Sequence, residues 1–242
     1  MSALLNLHID NEPMAASRRV VLDHAARLFR QYGYAAVSMR DIAAACGIKA
    51  GSLYYHFPSK EQIVLEVLDA GVGTVFDTVR SAAAALPPDA GLAVRLRSAI
   101  GAHLHALLEL GDYTGANIRI FGHVPEHVRT AAMATRRLYE EWWTRLLEQG
   151  AAEGAFAPGT DLKLTKLFLL GAMNWSLTWY KSGADRHDVQ AIADHLAGLV
   201  LHGVAAPTAK PRARPGAAAA SQPGSTPGSK PSRPARRPRP PA

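Results

Sequence analysis

The stretch from Ser38 to Pro58 constrains this chain most, because two helix starts and two helix stops follow one another there within a few turns. Ser38 with Asp41 three residues on has the form of a capping box, in which side chains take the place of missing backbone hydrogen bonds. Gly47 then breaks the segment Met39 to Cys46. Ala50 to His56 makes a second short helix, Pro58 stops it, and Ser59 with Gln62 caps a longer one running through Ile63, Leu65, Val67 and Leu68. Ile42, Ala43, Ile48, Leu53 and Phe57 supply a small core that fixes the angle between the two short helices.

Elsewhere apolar residues recur at spacings of three and four rather than two, so the fold class is all-α, with about nine helices. A first helix is expected from about Ser17 to Tyr32, with Val20, Val21, Ala25, Leu28 and Phe29 as its buried stripe and Gly33 at its end. After Leu86-Pro87-Pro88 come amphipathic segments at roughly 90 to 110, 113 to 122, 126 to 153, 161 to 182 and 187 to 204. The last two are so apolar that they must be central to the core or covered by a partner. The expected division is a flexible extension over 1–16, a three-helix head over 17–63, a larger helical domain over 64–204 and a disordered Pro/Ala/Arg-rich tail over 205–242.

The formal charge of +7 is misleading about the folded part. From Ala205 onward there are eight Lys and Arg residues and no acid, which leaves 19 basic against 20 acidic residues in the remainder. Within that remainder, Ser17 to Leu65 holds seven basic residues against three acids, and a DNA-binding face would be sought there. The one cysteine, Cys46, cannot form an intrachain bridge and reads as a small hydrophobe. The N-terminus lacks the basic start of a secretory signal and no apolar run approaches a membrane span, so a cytoplasmic protein without membrane contact is expected.

Two short helices around a Gly47-Ile48-Lys49 turn make a helix-turn-helix, whose second helix can lie in the major groove of DNA. Ala50, Gly51 and Ser52 keep the leading end of that helix slim, while Tyr54, Tyr55, His56 and Lys60 suit the phosphate level. The runs Ala26-Arg27-Leu28-Phe29, Gly33-Tyr34, Ser38 to Ala43, Gly47-Ile48, Gly51 to Phe57 and Ser59-Lys60-Glu61 together resemble the DNA-binding domain of the TetR/AcrR family of repressors. The resemblance implies a homodimer joined through the last two helices on a two-fold, double-stranded operator. It also implies base reading by Arg40, Lys49, Ala50, Gly51 and Ser52, with Tyr54, Tyr55, His56 and Lys60 on phosphates.

The C-terminal half resembles the acyl-CoA-responsive subgroup of that family, through Arg136-Arg137-Leu138-Tyr139 leading into Trp142-Trp143, and Asn174-Trp175 followed by Trp179-Tyr180. That resemblance implies a small-molecule effector, an acyl-CoA thioester, near Arg119, Phe121, Tyr139, Trp143, Asn174, Trp175 and Thr178. The alternatives are a free aromatic or lipophilic effector, and aromatics that merely fill the core or the dimer interface. His123 and His127 have the spacing of a metal pair, but Pro125 between them argues against one continuous helix, so neither a metal nor a cofactor is expected. Phosphate loops, nucleophile elbows and HExxH are absent, which speaks against an enzyme. A nucleoid-type architectural protein is the rival reading, suggested by the basic tail.

Overall fold

The computed structural model describes residues 12–181 and 188–203, with side chains from Ser17 onward. The expectations for the extreme N-terminus and for the tail beyond 204 therefore lie outside the described residues. Ten α-helices and no strand are found among those described. They are α1 (Glu12–Tyr32), α2 (Met39–Ala45), α3 (Ala50–His56), α4 (Lys60–Ala84), α5 (Leu92–Leu108), α6 (Asp112–Ile120), α7 (Glu126–Ala131), α8 (Met133–Ala152), α9 (Leu162–Trp179) and α10 (Val189–His202).

Local chemistry sets most boundaries. α1 starts five residues earlier than expected, at Glu12, and ends at Gly33, whose φ of +81° only glycine adopts freely. Val21, Ala25, Ala26 and Phe29 form its buried stripe, whereas Val20 faces out. At α2 the Ser38 hydroxyl accepts from the Asp41 N–H and the Asp41 carboxylate accepts from the Ser38 N–H at 2.8 Å, completing the capping box. Ser59 accepts from the Gln62 N–H and Asp161 from the Leu164 N–H, so α4 and α9 each start on a single side-chain cap.

The segment expected as one helix over 126–153 is split at Ala132. The reason lies in what its two ends bury: Val128 and Ala132 belong to the head's core, while Tyr139, Trp143 and Leu147 belong to a second core in the body. α7 thus serves the head and α8 the body. Pro125 opens α7, so His123 and His127 sit on separate elements, and His123 Nδ1 lies 3.2 Å from the Arg119 carbonyl.

The two cores meet along α4. Ile63, Val64, Val67 and Leu68 are buried with Phe29, Ile42, Leu53 and Phe57 in the head, while Val72, Val75 and Val79 are buried with Leu96, Ile100 and Trp143 in the body. α6 closes the head from below with Ala116 and Ile120. It crosses α4 so tightly at Gly71 that a Cβ there would lie 2.5 Å from the Tyr113 carbonyl oxygen. Two ion pairs and a hydrogen bond reinforce the joint between α1 and α6: Arg30 meets Asp112 at 3.0 Å, Arg27 meets the same carboxylate at 3.5 Å, and the Tyr113 hydroxyl donates to Asp23 at 2.7 Å. None of the helices among the described residues is long and apolar enough to cross a membrane.

Candidate DNA interface and ligand cavity

Along α2 and α3 the buried side chains point one way and the polar ones the other. Ile42, Ala43, Leu53 and Phe57 are buried, with Ile48 packed against them, and Gly47 takes a φ of +68° to turn the chain between the helices. This leaves Arg40, Lys49, Gly51 and Ser52 exposed around the leading end of α3, with Ala50 partly covered. Tyr54 and Tyr55 are 52% and 74% exposed, so Tyr54 does not pack beneath the helix that carries it.

Two of the expected phosphate contacts sit differently. The Lys60 ammonium turns inward, donating to the carbonyls of Tyr34 at 2.8 Å and Val37 at 2.9 Å and lying 3.9 Å from the Tyr34 ring centroid. Partial burial lowers its pKa. Its charge thus ties α4 to the turn between α1 and α2. His56 is half-buried at the C-terminus of α3, where the Arg18 guanidinium donates to its carbonyl, pairs with Glu66 and covers the Phe57 ring. A cation at that position also complements the negative end of the helix.

In the body, α4, α5, α6, α8 and α9 surround a cavity of about 240 Å³. Its wall is apolar along Val72, Val75, Leu107 and Leu170, and polar at His103, Thr114, Asn117, Arg136, Tyr139, Glu140 and Asn174. Ile118, Gly171 and Asn174 also border a neighbouring surface groove of about 660 Å³, which carries Arg30, Arg119, Trp175 and Thr178. The residues expected to bind one ligand are therefore distributed. Tyr139 and Asn174 line the inner cavity, and Arg119, Trp175 and Thr178 line the groove with Asn174. Trp143 is fully buried behind Tyr139 and borders neither space, and Phe121 lies under the Arg136 guanidinium, 3.9 Å from it.

Two polar arrangements escaped the sequence reading. The first is His103, whose Nδ1 lies 2.6 Å from the Tyr139 hydroxyl across 36 residues of sequence. Burial pushes its pKa down to about 4, an effect the nearby Asn174 side chain only partly offsets, and burial raises the Tyr139 pKa. The second runs from the cavity to α4: Arg136 donates to the Asn117 side-chain oxygen at 2.7 Å, and the Asn117 amide donates to the Leu68 carbonyl at 2.6 Å. Arg136 is largely desolvated, which lowers its pKa, and among the described residues no carboxylate lies within 4.0 Å of it. Arg95, Arg97 and Arg145, by contrast, each meet an acid.

Comparison with known proteins covers both halves. Residues 21–67 match the family described as bacterial regulatory proteins, tetR family, and residues 90–204 match the tetracyclin repressor-like C-terminal domain. The HTH-type transcriptional repressor KstR2 of Mycolicibacterium smegmatis is 34% identical over 200 residues, covering 81% of this chain and 94% of that protein. The repressor of the same name from Rhodococcus jostii is 30% identical over 203 residues, covering 82% and 96%. Among solved structures, the ketosteroid transcriptional regulator KstR2 of Mycobacterium tuberculosis is 28% identical with a TM-score of 0.64, over 77% of this chain and 93% of that one.

Proposed function

The chain belongs to the TetR family of transcriptional regulators, so it is a DNA-binding regulator and not an enzyme, and from that premise we propose that it is a dimeric repressor released from a two-fold operator by a small molecule. One observation carries the proposal: a single helix, α4, is both a wall of the cavity, through Gly71, Val72 and Val75, and part of the core of the DNA-reading head, through Ile63, Val64 and Val67. A molecule in the cavity cannot change the position of α4 without moving the head. The repressor names of the full-length relatives support the sign of the response.

Arg40, Lys49, Ala50, Gly51 and Ser52 read the major groove in this account, and Tyr54 and Tyr55 with His56 hold the flanking phosphates. Lys60 acts as a positioning residue through the loop it anchors. The second copy docks on α9 and α10. Leu164, Phe168, Trp175 and Trp179 fall on one face of α9 and are 48%, 75%, 66% and 45% exposed, a stripe that water leaves unpaired.

The effector class we favour is an acyl thioester of coenzyme A. An apolar acyl or ring group fits a cavity of about 240 Å³, which a whole coenzyme A does not. The adjoining groove, with Arg30 and Arg119 at its edge, has room and charge for the phosphates of the remainder. Ligand then shifts a pre-existing equilibrium between two head spacings by its difference in affinity for them. Such a protein works where DNA and acyl thioesters occur together, in the cytoplasm.

A mobility-shift assay on the DNA upstream of the protein's own coding sequence tests this, repeated with acyl-CoA thioesters and the matching free acids. A discrete complex that Lys49→Ala weakens and a thioester dissolves is the expected outcome. Release by free acids alone would replace the effector class, and salt-sensitive coating of any DNA would overturn the repressor reading.

A further inference from the structure

Among the described residues, Arg136 is the one arginine on the wall of the inner cavity. Its guanidinium is held by neutral groups: Nη2 donates to the Asn117 side-chain oxygen at 2.7 Å, and the guanidinium carbon lies 3.9 Å from the Phe121 ring centroid. Nε is enclosed without a hydrogen-bond partner. Nη1 has no partner among the described residues either, but it is not one of the enclosed atoms, so it keeps open space before it.

Neither an amide nor an aromatic ring neutralises a charge. A guanidinium cannot escape burial by giving up its proton, and charges taken out of water are as a rule matched by an opposite one. Glu140, one turn further along α8 and on the same wall, acts on Arg136 from beyond 4.0 Å, and its attraction does not offset the water that the guanidinium has lost. The remaining polar groups of the wall, His103, Thr114, Tyr139 and Asn174, are uncharged at neutral pH. The cavity thus holds a cation with one nitrogen open and no acid of the described chain in contact with it.

We propose that Arg136 is the anion receptor of the cavity, and that the part of the effector entering it is an apolar body bearing a carboxylate. The planar fork of the guanidinium matches the two oxygens of a carboxylate. The apolar wall along Val72, Val75, Leu107 and Leu170 suits a hydrocarbon body. In a coenzyme A thioester, the acyl group is then that of a dicarboxylic acid with one end free. The inference rests on the cavity being the effector site, as proposed above, but not on coenzyme A being part of the effector. An incoming carboxylate competes with the Asn117 oxygen for the same guanidinium.

Cyclohexanecarboxylate and cyclohexanecarboxamide are suitable probes, since they share shape and differ in charge. Their affinities for the full-length protein, Arg136→Lys and Arg136→Gln are measured by ligand-observed NMR at neutral pH. The parent should favour the carboxylate by about tenfold, the margin of a charged over a neutral hydrogen-bonded pair. Arg136→Gln should erase that preference while binding the amide as the parent does, which also reports an intact cavity. Arg136→Lys, which keeps the charge and loses the fork, should retain part of it. Equal affinity of the parent for the two probes, a preference that survives in Arg136→Gln, or no binding of either probe overturns the proposal. Inorganic phosphate that displaces the carboxylate at equal concentration would mark a phosphate site and overturn the carboxylate assignment. Release of DNA by acyl-CoA without any carboxylate preference defeats this inference alone, and a carboxylate preference without release by acyl-CoA defeats only the effector class.

Discussion

In the native protein the His103 ring takes up a proton only near pH 4, whereas an unfolded histidine does so near 6.5. Between these values the unfolded chain binds a proton that the folded chain refuses, so stability falls as pH drops through that window and is fully present above it. The span corresponds to about 3 kcal/mol by pH 4. Urea denaturation of the parent and of His103→Phe at pH 7 and pH 4.5 checks this: the parent should lose more of its midpoint, and equal losses would show that His103 does not titrate this way. Gly71 carries a second expectation. A methyl there meets the Tyr113 backbone at 2.5 Å, and a carbonyl in a helix cannot swing aside, so Gly71→Ala should cost about 1–3 kcal/mol in thermal or urea unfolding. Neither feature is legible in the sequence, since His103 and Tyr139, or Gly71 and Tyr113, become neighbours only when the helices pack. What is legible at this scale is local, such as the Ser38–Asp41 box and the Gly47 turn. Lys60 shows the limit: its place at the start of α4 suits a phosphate, yet the Tyr34 and Val37 carbonyls lie closer.

Helices are readable wherever periodicity and punctuation agree, including α4, which spans both cores. α3, α4, α5 and α9 fall close to the places their periodicity and caps indicate. The break at Ala132 was not, because Ala131-Ala132-Met133 has no breaker and the split is imposed by two cores in different directions. The apolar excess of α9 was equally visible, but only the structure separates Leu169 and Met173, which face inward, from Phe168 and Trp175, which face water. Phe168 is the most exposed large hydrophobe of that helix at 75%. Phe168→Glu should therefore leave helicity and melting nearly unchanged while shifting sedimentation from dimer to monomer, because two buried carboxylates would face each other across a two-fold contact. A variant that still sediments as a dimer would place the interface elsewhere.

For the molecule as a whole, the sequence identified the DNA-reading head and the family, since those depend on residues close together in the chain. The hydrogen-bond chain through which we propose that ligand reaches the head joins residues far apart: Arg136 on α8, Asn117 on α6 and the Leu68 carbonyl on α4. A ligand that draws Arg136 away from Asn117 loosens the side chain that grips α4 below the head. Asn117→Ala should accordingly bind operator nearly as the parent does and lose most of its response to ligand. The most direct measurement is of the coupling itself. Operator affinity is followed by DNA fluorescence anisotropy, with and without an acyl-CoA whose own binding is followed by the protein's tryptophan fluorescence. Linkage requires DNA to weaken ligand binding by the same factor as ligand weakens DNA binding. The account predicts reciprocal factors of about tenfold or more in the parent, shrinking toward one in Asn117→Ala. Ligand that saturates the cavity while operator affinity stays unchanged would contradict it.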